Sequence, residues 1–317
     1  MKIIKFNPKN WSKLKHQFIE LEEKCFCEEL QMTEEEIKDS MCDNGALVYL
    51  AFEGKKLIGN TYGNILQGTD EEWFDGHWDP KDYKHYNKKT LYVTSTAVLP
   101  EYRNKGIATR LKIVMHEDLK GHGFKYVIGH AHKGTMINIC KKFGGKVIKQ
   151  FKNWYDSPET HYLYEINLFD MPNILYVPRL KQSNDYNCGF TSLNVLFDSD
   201  ISYNGEIESL FGINKKIGIS HENILNIAKI IFSKSLIGDY DRKLRDIHFI
   251  IDNLKRPVLV NYQADGSGHY SVVYGYDREN LYIMDVWEGK EKKVNNKKFL
   301  KSWYSKYYGY RWLAFEN

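Results

Sequence analysis

The feature that most constrains the fold is a break in the pattern of secondary structure near residue 170. The segment FDMPNILYVP at 169–178 carries two prolines and follows neither a helical nor a strand period. It divides a chain of 317 residues, about twice the ~150 residues that serve as a prior for one domain. We therefore expect one domain at 1–168 and another at 179–317, joined by a linker at 169–178.

The first block alternates strand and helix patterns. A strand is predicted at MKIIKF, a helix from Trp11 to about Cys25, and a second helix that begins with the capping box at Thr33. A hairpin, the strand LYVTSTAVL, the helix TRLKIVMHEDLKGHG, the strand KYVIGHAH, a helix to Lys142 and two final strands follow. This order predicts an α/β fold.

A loop between a predicted strand and a predicted helix has the features of an anion site. Glycine lets the backbone approach a ligand, and the free N–H groups of a helix start attract negative charge. Two basic side chains add positive charge. A plain strand–turn–helix corner would have the same spacing, so the pattern alone leaves both interpretations open. The loop consists of Arg103, Asn104, Lys105, Gly106, Ile107 and Ala108.

The segment TAVLPEYRNKGIATRLK resembles the acetyl-CoA motif of the GNAT family of N-acyltransferases. That motif is Arg/Gln-x-x-Gly-x-Gly/Ala after a Val-x-Pro strand end, and its positions are filled by Val98, Pro100, Arg103, Gly106 and Ala108. The order of elements over about 1–168 is also similar to the family's. The resemblance implies a mixed sheet flanked by helices.

The same resemblance implies a role for these residues. The backbone amides of 103–108 would hold the pyrophosphate of acetyl-CoA, and the strand end at Ala97 and Val98 would contact the pantetheine arm and the acetyl carbonyl. The acetyl group passes directly to an amine in this family, so neither a metal nor a second cofactor is implied.

The later GNAT motif is altered in this chain. Lys133 stands where the family usually has Asn, and Cys140 stands where it usually has the Tyr that protonates the leaving CoA thiolate. A thiol with a reference pKa of about 8.5 can act as an acid, which makes Cys140 a candidate general acid. No general base is identified. His130 and His132 share one strand face and are candidates, although such a pair is more often structural.

A long loop at 66–89 would border the acceptor site of a GNAT enzyme. Its acidic residues are expected to attract a cationic amine and its tryptophans to stack on that amine, or else the loop covers the other domain. These residues are Asp70, Glu71, Glu72, Asp75, Trp73 and Trp78.

The second block places helices first and a cluster of strands later, which predicts an α+β domain. Cys188 lies at the first turn of a predicted helix, where the helix N-terminus stabilises a thiolate. His269 begins a strand behind a glycine loop, and Asp285 ends the next strand. A short turn between these strands would bring Asp285 to His269 as the orienting member of a triad, and Gln182 could supply an oxyanion-hole amide.

This joint pattern resembles the bacteriocin-leader (double-glycine) peptidase group of papain-like folds. The motifs are Gln-x5-Cys-Gly at a helix start, Gly-His at a strand start and Asp at the next strand end, over about 178–317. The resemblance implies Cys188 as nucleophile, His269 as base, Asp285 as orienter and Gln182 as oxyanion donor. The same triad supports either hydrolysis or acyl transfer to an amine.

The amino-acid composition of the chain favours some classes of substrate and partner over others. The formal charge of +4 comes from interspersed acids and bases, which favours a small-molecule amine or a peptide as substrate over nucleic acid or membrane. Five cysteines without paired spacing, and a start without an apolar stretch, predict a reduced, cytoplasmic compartment. The oligomeric state stays open.

We expect a bifunctional enzyme. The alternatives are a single-activity enzyme with one degenerate domain used as a binding platform, or a non-enzymatic interaction or inhibitor protein that uses its 15% aromatic content as a surface.

Overall fold

The computed structural model describes residues 1–66, 86, 88–132, 134–152, 160–216, 218–239, 243–264, 266–303 and 311–316. The chain forms two compact units, Met1–Met171 and Pro172–Asn317. No helix within these described ranges is both long and apolar enough to cross a bilayer.

The first unit has a strand–helix order close to the predicted one. Its elements are β1 (Lys2–Lys5), α1 (Trp11–Cys25), α2 (Glu34–Cys42), β2 (Ala46–Glu53), β3 (Lys56–Ile65), β4 (Thr90–Val98), α3 (Ile107–Gly121), β5 (Tyr126–His132), α4 (Thr135–Lys142), β6 (Lys146–Phe151) and β7 (His161–Asn167).

The strands of this unit form one mixed sheet. Their order is β1-β2-β3-β4-β5-β7-β6, and only the β4–β5 pair among the described strands is parallel. Helix α3 connects these two parallel strands, as a crossover requires. The prediction of an α/β fold with a mixed sheet flanked by helices is therefore confirmed.

Helices α1 and α2 bury their apolar side chains on β2, β3 and β4. Phe18 and Leu21 of α1 and Ile37 and Met41 of α2 share one core cluster with strand residues such as Tyr62. The predicted capping box at the start of α2 is present. The hydroxyl of Thr33 accepts the backbone N–H of Glu36 at 3.3 Å, and the carboxylate of Glu36 accepts the backbone N–H of Thr33 at 2.7 Å.

The second unit places three helices before most of its strands. Its elements are β8 (Asn173–Ile174), α5 (Cys188–Phe197), α6 (Gly205–Phe211), α7 (His221–Ile230), β9 (Leu236–Asp239), α8 (Leu244–Phe249), β10 (Val258–Ala264), β11 (Ser267–Tyr276), β12 (Asn280–Asp285), β13 (Lys290–Asn295), α9 (Asn296–Trp303) and β14 (Arg311–Phe315).

The strands of this unit form an antiparallel sheet in the order β13-β12-β11-β10-β14-β9, and β8 pairs with the end of β11. The predicted α+β class is confirmed, but the sequence patterns missed the short strands β8 and β9, the edge strand β13 and the short helix α6. β13 reads KEKKVN, and charged side chains of this kind are typical of an edge strand that must not pair further. Strand β8 lies within the predicted linker at 169–178 and belongs to the second compact unit.

Candidate functional site

Strands β4 and β5 separate before either of them ends. Their pairing runs from Thr90↔Tyr126 to Val93↔Gly129, whereas β4 continues to Val98 and β5 to His132. In the pairing of β3 with β4, Tyr62 is opposite Ser95 and Gly63 is opposite Val93. Thr94 of β4 is therefore the extra residue of a β-bulge. A bulge bends its strand. The last residues of β4 therefore form a strand edge that has no β5 partner within the described pairing.

The predicted pyrophosphate loop follows directly after this open edge. Asn104 and Gly106 have positive φ angles of 64° and 74°, which turn the chain sharply into α3. Gly106 is the N-cap of α3 without a side-chain cap, and Arg110 N–H donates to Gly106 C=O at 3.0 Å as the first helical bond. The N–H groups of 107–109 therefore have no acceptor within the helix. They form the kind of site that binds phosphate oxygens.

The basic side chains of the loop are exposed. Arg103 Nε donates to the carbonyl of Val98 at 3.1 Å, which ties the loop to the end of β4. Lys105 Nζ lies 5.0 Å from the ring centroid of Tyr102. Ala97 is buried and Val98 is half-buried, and they pair with Asn60 and Gly59 of β3. The structure therefore places the strand end at 97–98 and the loop at 103–108 side by side.

Cys140 lies on α4 and is 3% exposed. Burial raises the pKa of its thiol to about 11, although the nearby Lys112 and a hydrogen bond with Tyr164 act in the opposite direction. A thiol with this pKa is a weak proton donor near pH 7, and the role of Cys140 as general acid stays a prediction.

The two histidines of β5 lie on one face of the strand, in register with Leu163 and His161 of β7. Tyr92 OH and His130 Nδ1 are 2.8 Å apart, and burial lowers the pKa of His130 to about 3. A ring held neutral by burial suits packing better than proton uptake from an amine. Lys133 and the acidic and aromatic residues of the acceptor loop, 70–78, lie outside the described residues.

Sequence patterns missed a buried basic pair beside Cys140. Lys112 and His116 lie one turn apart on α3 and are 2% and 0% exposed. Within the described part of the chain, Lys112 Nζ and both ring nitrogens of His116 have no hydrogen-bond partner. Burial lowers the pKa of Lys112 to about 8 and the pKa of His116 well below its usual value.

In the second unit, Cys188 is the first residue of α5 and is partly exposed. The next residue must be small. A Cβ on Gly189 would lie 2.5 Å from Ile224 Cδ1 and 3.3 Å from Tyr270, so glycine lets α5 pack closely on α7 and β11. This packing fixes the thiol against the strand that carries the predicted base.

His269 and Asp285 meet as the sequence predicted. β11 and β12 form a hairpin around 277–280, and His269 Nε2 lies 3.1 Å from Asp285 Oδ1. Both side chains are buried. The opposite nitrogen, Nδ1, is left for the hydrogen bond that the imidazole makes with Cys188. The structure thus brings Cys188, His269 and Asp285 into one array.

Hydrogen bonds within this array favour the charged forms of both His269 and Asp285. Burial disfavours the imidazolium of His269, but hydrogen bonds to Asp285 and Cys188 outweigh burial and raise its pKa from 6.5 to about 9. Burial also disfavours the carboxylate of Asp285. Its hydrogen bonds with His269 and Lys292 outweigh burial and lower its pKa well below the usual range.

Two further groups hold Asp285. The backbone N–H of Trp287 donates to Oδ1 at 2.9 Å, and Lys292 Nζ on β13 lies 2.6 Å from Oδ2. Lys292 also binds Glu288 Oε1 at 2.7 Å. No sequence pattern indicates a role for Lys292, because its strand has the composition of a solvated run of charges.

Gln182 lies beside the array. Its backbone N–H donates to Val286 C=O at 2.8 Å, and its side-chain Nε2 donates to Asn184 C=O at 2.6 Å. One amide hydrogen is thereby used, and the role of Gln182 as an oxyanion donor stays a prediction. Among the described residues no group of three or more His, Cys, Asp or Glu side chains is arranged to hold a metal ion.

Two family models match the chain. Residues 15–139 match the acetyltransferase (GNAT) family, and residues 174–310 match the Peptidase_C39 like family. No curated protein matches at a significant level.

Solved structures similar to the chain include several acetyltransferases. The ribosomal-protein-S18-alanine N-acetyltransferase from Escherichia coli is 11% identical, with a TM-score of 0.42, over 53% of this chain and 93% of that one. The loading GNATL domain of CurA from Lyngbya majuscula is 15% identical, with a TM-score of 0.42, over 53% and 98%. An N-acetyltransferase from Staphylococcus aureus Mu50 is 15% identical, with a TM-score of 0.39, over 53% and 99%.

Proposed function

Because residues 15–139 form an acetyltransferase (GNAT) family domain and residues 174–310 form a Peptidase_C39-like domain, we propose that the chain is a bifunctional enzyme. The first domain transfers the acetyl group of acetyl-CoA to an amine of a small molecule or peptide. The second cleaves or transfers a peptide or acyl group through Cys188. The observation that supports the proposal best is that His269 Nε2 lies 3.1 Å from Asp285 Oδ1 while the same imidazole also hydrogen-bonds to Cys188.

The open edge of β4 supports the acyl-transfer half. The pantetheine arm of acetyl-CoA contains amides, and an extended amide chain can add to an unpaired strand edge by backbone hydrogen bonds. The edge ends at Ala97 and Val98, and the loop at 103–108 follows with its free N–H groups. When bound, acetyl-CoA supplies an acetyl thioester. The N–H groups of 107–109 would bind its pyrophosphate, and the open edge of β4 would align its arm.

The test of this half is calorimetric titration of the full chain with acetyl-CoA. Gly106→Glu and Lys105→Glu each put negative charge into the loop, and we expect both to reduce affinity at least tenfold. Gly121→Glu is the matched control, since a Cβ at Gly121, the last residue of the same helix, meets open space. Lys105→Glu avoids the backbone strain that any side chain meets at the positive φ of Gly106. Unchanged affinity in both loop variants would refute this role of the loop.

The array of the second domain supports thiol chemistry. Cys188 Sγ gives its proton to Nδ1 of His269 and attacks the substrate carbonyl carbon, while an amide hydrogen of Gln182 stabilises the oxyanion. The C–N bond then breaks, and His269 returns the proton to the leaving amine. The product is an acyl thioester on Cys188. Water or a second amine then releases the acyl group.

The test of this half is the rate of iodoacetamide alkylation of each cysteine against pH, followed by peptide mass mapping. Cys27 is exposed and provides an internal reference in the same chain. We expect rapid labelling of Cys188 well below pH 8, with the advantage over Cys27 lost in His269→Gln. Labelling of Cys188 no faster than that of Cys27, or unaffected by His269→Gln, would contradict a thiolate–imidazolium pair.

A further inference from the structure

The carboxylate of Asp285 is held from two sides. One oxygen, Oδ1, faces the imidazole of His269 at 3.1 Å and the backbone N–H of Trp287 at 2.9 Å. The other oxygen, Oδ2, faces Lys292 Nζ at 2.6 Å. An orienting carboxylate needs only the first set of contacts to align its histidine. The ion pair on the second oxygen therefore calls for an explanation.

Lys292 is itself fixed by a second acid. Its ammonium group lies 2.7 Å from Glu288 Oε1, and Glu288 stands in the turn that joins β12 to β13. The lysine side chain is 38% exposed, whereas the side chain of Asp285 is 6% exposed. In the sheet, Lys292 is opposite Ile283, one diagonal step from Asp285. Sheet register and two carboxylates thus hold the ammonium group against the buried acid.

We propose that Lys292 is a positioning residue of the thiol site, which holds Oδ2 of Asp285 and shares the charge of that carboxylate, so that His269 faces a partly neutralised partner. This inference rests on the proposed thiol chemistry of Cys188. It explains how the site combines two demands. A carboxylate must stabilise the imidazolium that forms when Cys188 loses its proton, yet the imidazolium must later give that proton to the leaving amine.

Among the described residues, the charged and titratable groups on the imidazole or on its carboxylate partner come from four elements. Helix α5 contributes a thiol, β12 a carboxylate, β10 a phenol whose ring stands edge-on to the imidazole at 5.7 Å, and β13 an ammonium group backed by a second acid. These residues are Cys188, Asp285, Tyr262, Lys292 and Glu288. Lys292 is the cation of this set, and it acts through Asp285.

The expected effect follows from the distances. Lys292 Nζ and the imidazole bind opposite oxygens of one carboxylate and are within about 8 Å of each other, where a full charge at an effective dielectric constant of ~20 changes a pKa by more than one unit. The exposure of Lys292 and the opposing charge of Glu288 weaken this effect. We expect Lys292→Met to raise the pKa of His269 by about 0.5–1 pH unit.

The experiment is an NMR titration of the histidine ring signals in the full chain, with the His269 signal assigned from His269→Gln. Lys292→Met should raise the pH midpoint of the His269 titration. The higher-pH inflection in the plot of Cys188 alkylation rate against pH should move up by the same amount. Lys292→Arg should restore the wild-type midpoint. Lys297→Met is the control, because it removes one positive charge from an exposed position of α9, which begins where β13 ends opposite Asn280, at the other end of β12 from Asp285.

A second variant keeps the test decisive if Lys292→Met fails to fold. In Glu288→Gln the ammonium group of Lys292 has only Asp285 as an ionic partner and neutralises that carboxylate more fully. The pH midpoint of the His269 titration should therefore fall. An unchanged or lowered midpoint in Lys292→Met, an equal shift in Lys297→Met, or an unchanged midpoint in Glu288→Gln would each overturn the proposal. Failure of the thiol chemistry would look different, since slow alkylation of Cys188 would then accompany a His269 midpoint that still responds to these variants.

Discussion

Replacing Lys112 by methionine is expected to stabilise the first unit at neutral pH. The ammonium group is buried without a hydrogen-bond partner among the described residues, and burial lowers its pKa from 10.5 to about 8. The difference between these two values corresponds to about 3 kcal/mol of unfolding free energy. Methionine has a similar length and no charge to desolvate, so Lys112→Met should recover most of this amount near pH 7.

The sign of the pH dependence provides the sharper test. Below pH 8 the folded and unfolded chains both carry the ammonium, and the folded chain bears the full burial penalty. Between pH 8 and 10.5 the folded chain loses the proton while the unfolded chain keeps it, and the penalty disappears. The advantage of Lys112→Met should therefore decrease steadily over this range.

The assay is pulse labelling of Cys140 with a maleimide at increasing urea concentration, at pH 7.5 and again at pH 9.5. Cys140 is 3% exposed and reacts only when the first unit opens, so its labelling reports that unit within the full chain. Lys120→Met, at an exposed position of the same helix, is the control for a lost surface charge. An advantage of Lys112→Met that is the same at both pH values would refute the reasoning.

Three further outcomes are expected. Gly189→Ala should lower the free energy of unfolding of the second unit by about 1–3 kcal/mol in urea, because its Cβ would lie 2.5 Å from Ile224 Cδ1. A decrease of less than about 0.5 kcal/mol would mean that α5 moves to make room for the methyl group without loss of stability. Thr33→Ala should remove the capping box and about 1 kcal/mol, seen as a lower Tm. The stability that wild type gains over His269→Gln should be complete below pH 6.5 and lost as pH rises through about 9, followed by urea titration at several pH values.

Much of the thiol array was predictable because each of its members sits at a local boundary. Cys188 starts a helix, and His269 and Asp285 lie on two strands joined by a tight turn. Asp277 holds that turn by accepting the backbone N–H groups of Glu279 and Asn280 at 2.9 and 2.8 Å. The turn fixes the hairpin register, with Val272 opposite Met284, so Asp285 lies about one diagonal step from His269, close enough for the two side chains to meet.

No feature of the sequence predicts the separation of β4 and β5. It depends on one extra residue, Thr94, in a strand whose sequence LYVTSTAVL reads as continuous, and on the register of the neighbouring strand β3. Strand β13 was missed for a different reason. Its lysines read as a solvated charge run, and only pairing with β12 shows that Lys292 reaches a buried acid.

Lys112 and Lys292 show why residue type alone does not assign a lysine. Two carboxylates within 2.7 Å raise the pKa of Lys292, whereas burial without a hydrogen-bond partner among the described residues lowers the pKa of Lys112. The second case did leave a trace in the sequence, since Lys112 and His116 fall within the helical stripe that also contains Leu111, Met115 and Leu119. A base placed on the apolar stripe of a helix must lose charge or find a partner, which makes such a position worth testing even where no family motif includes it.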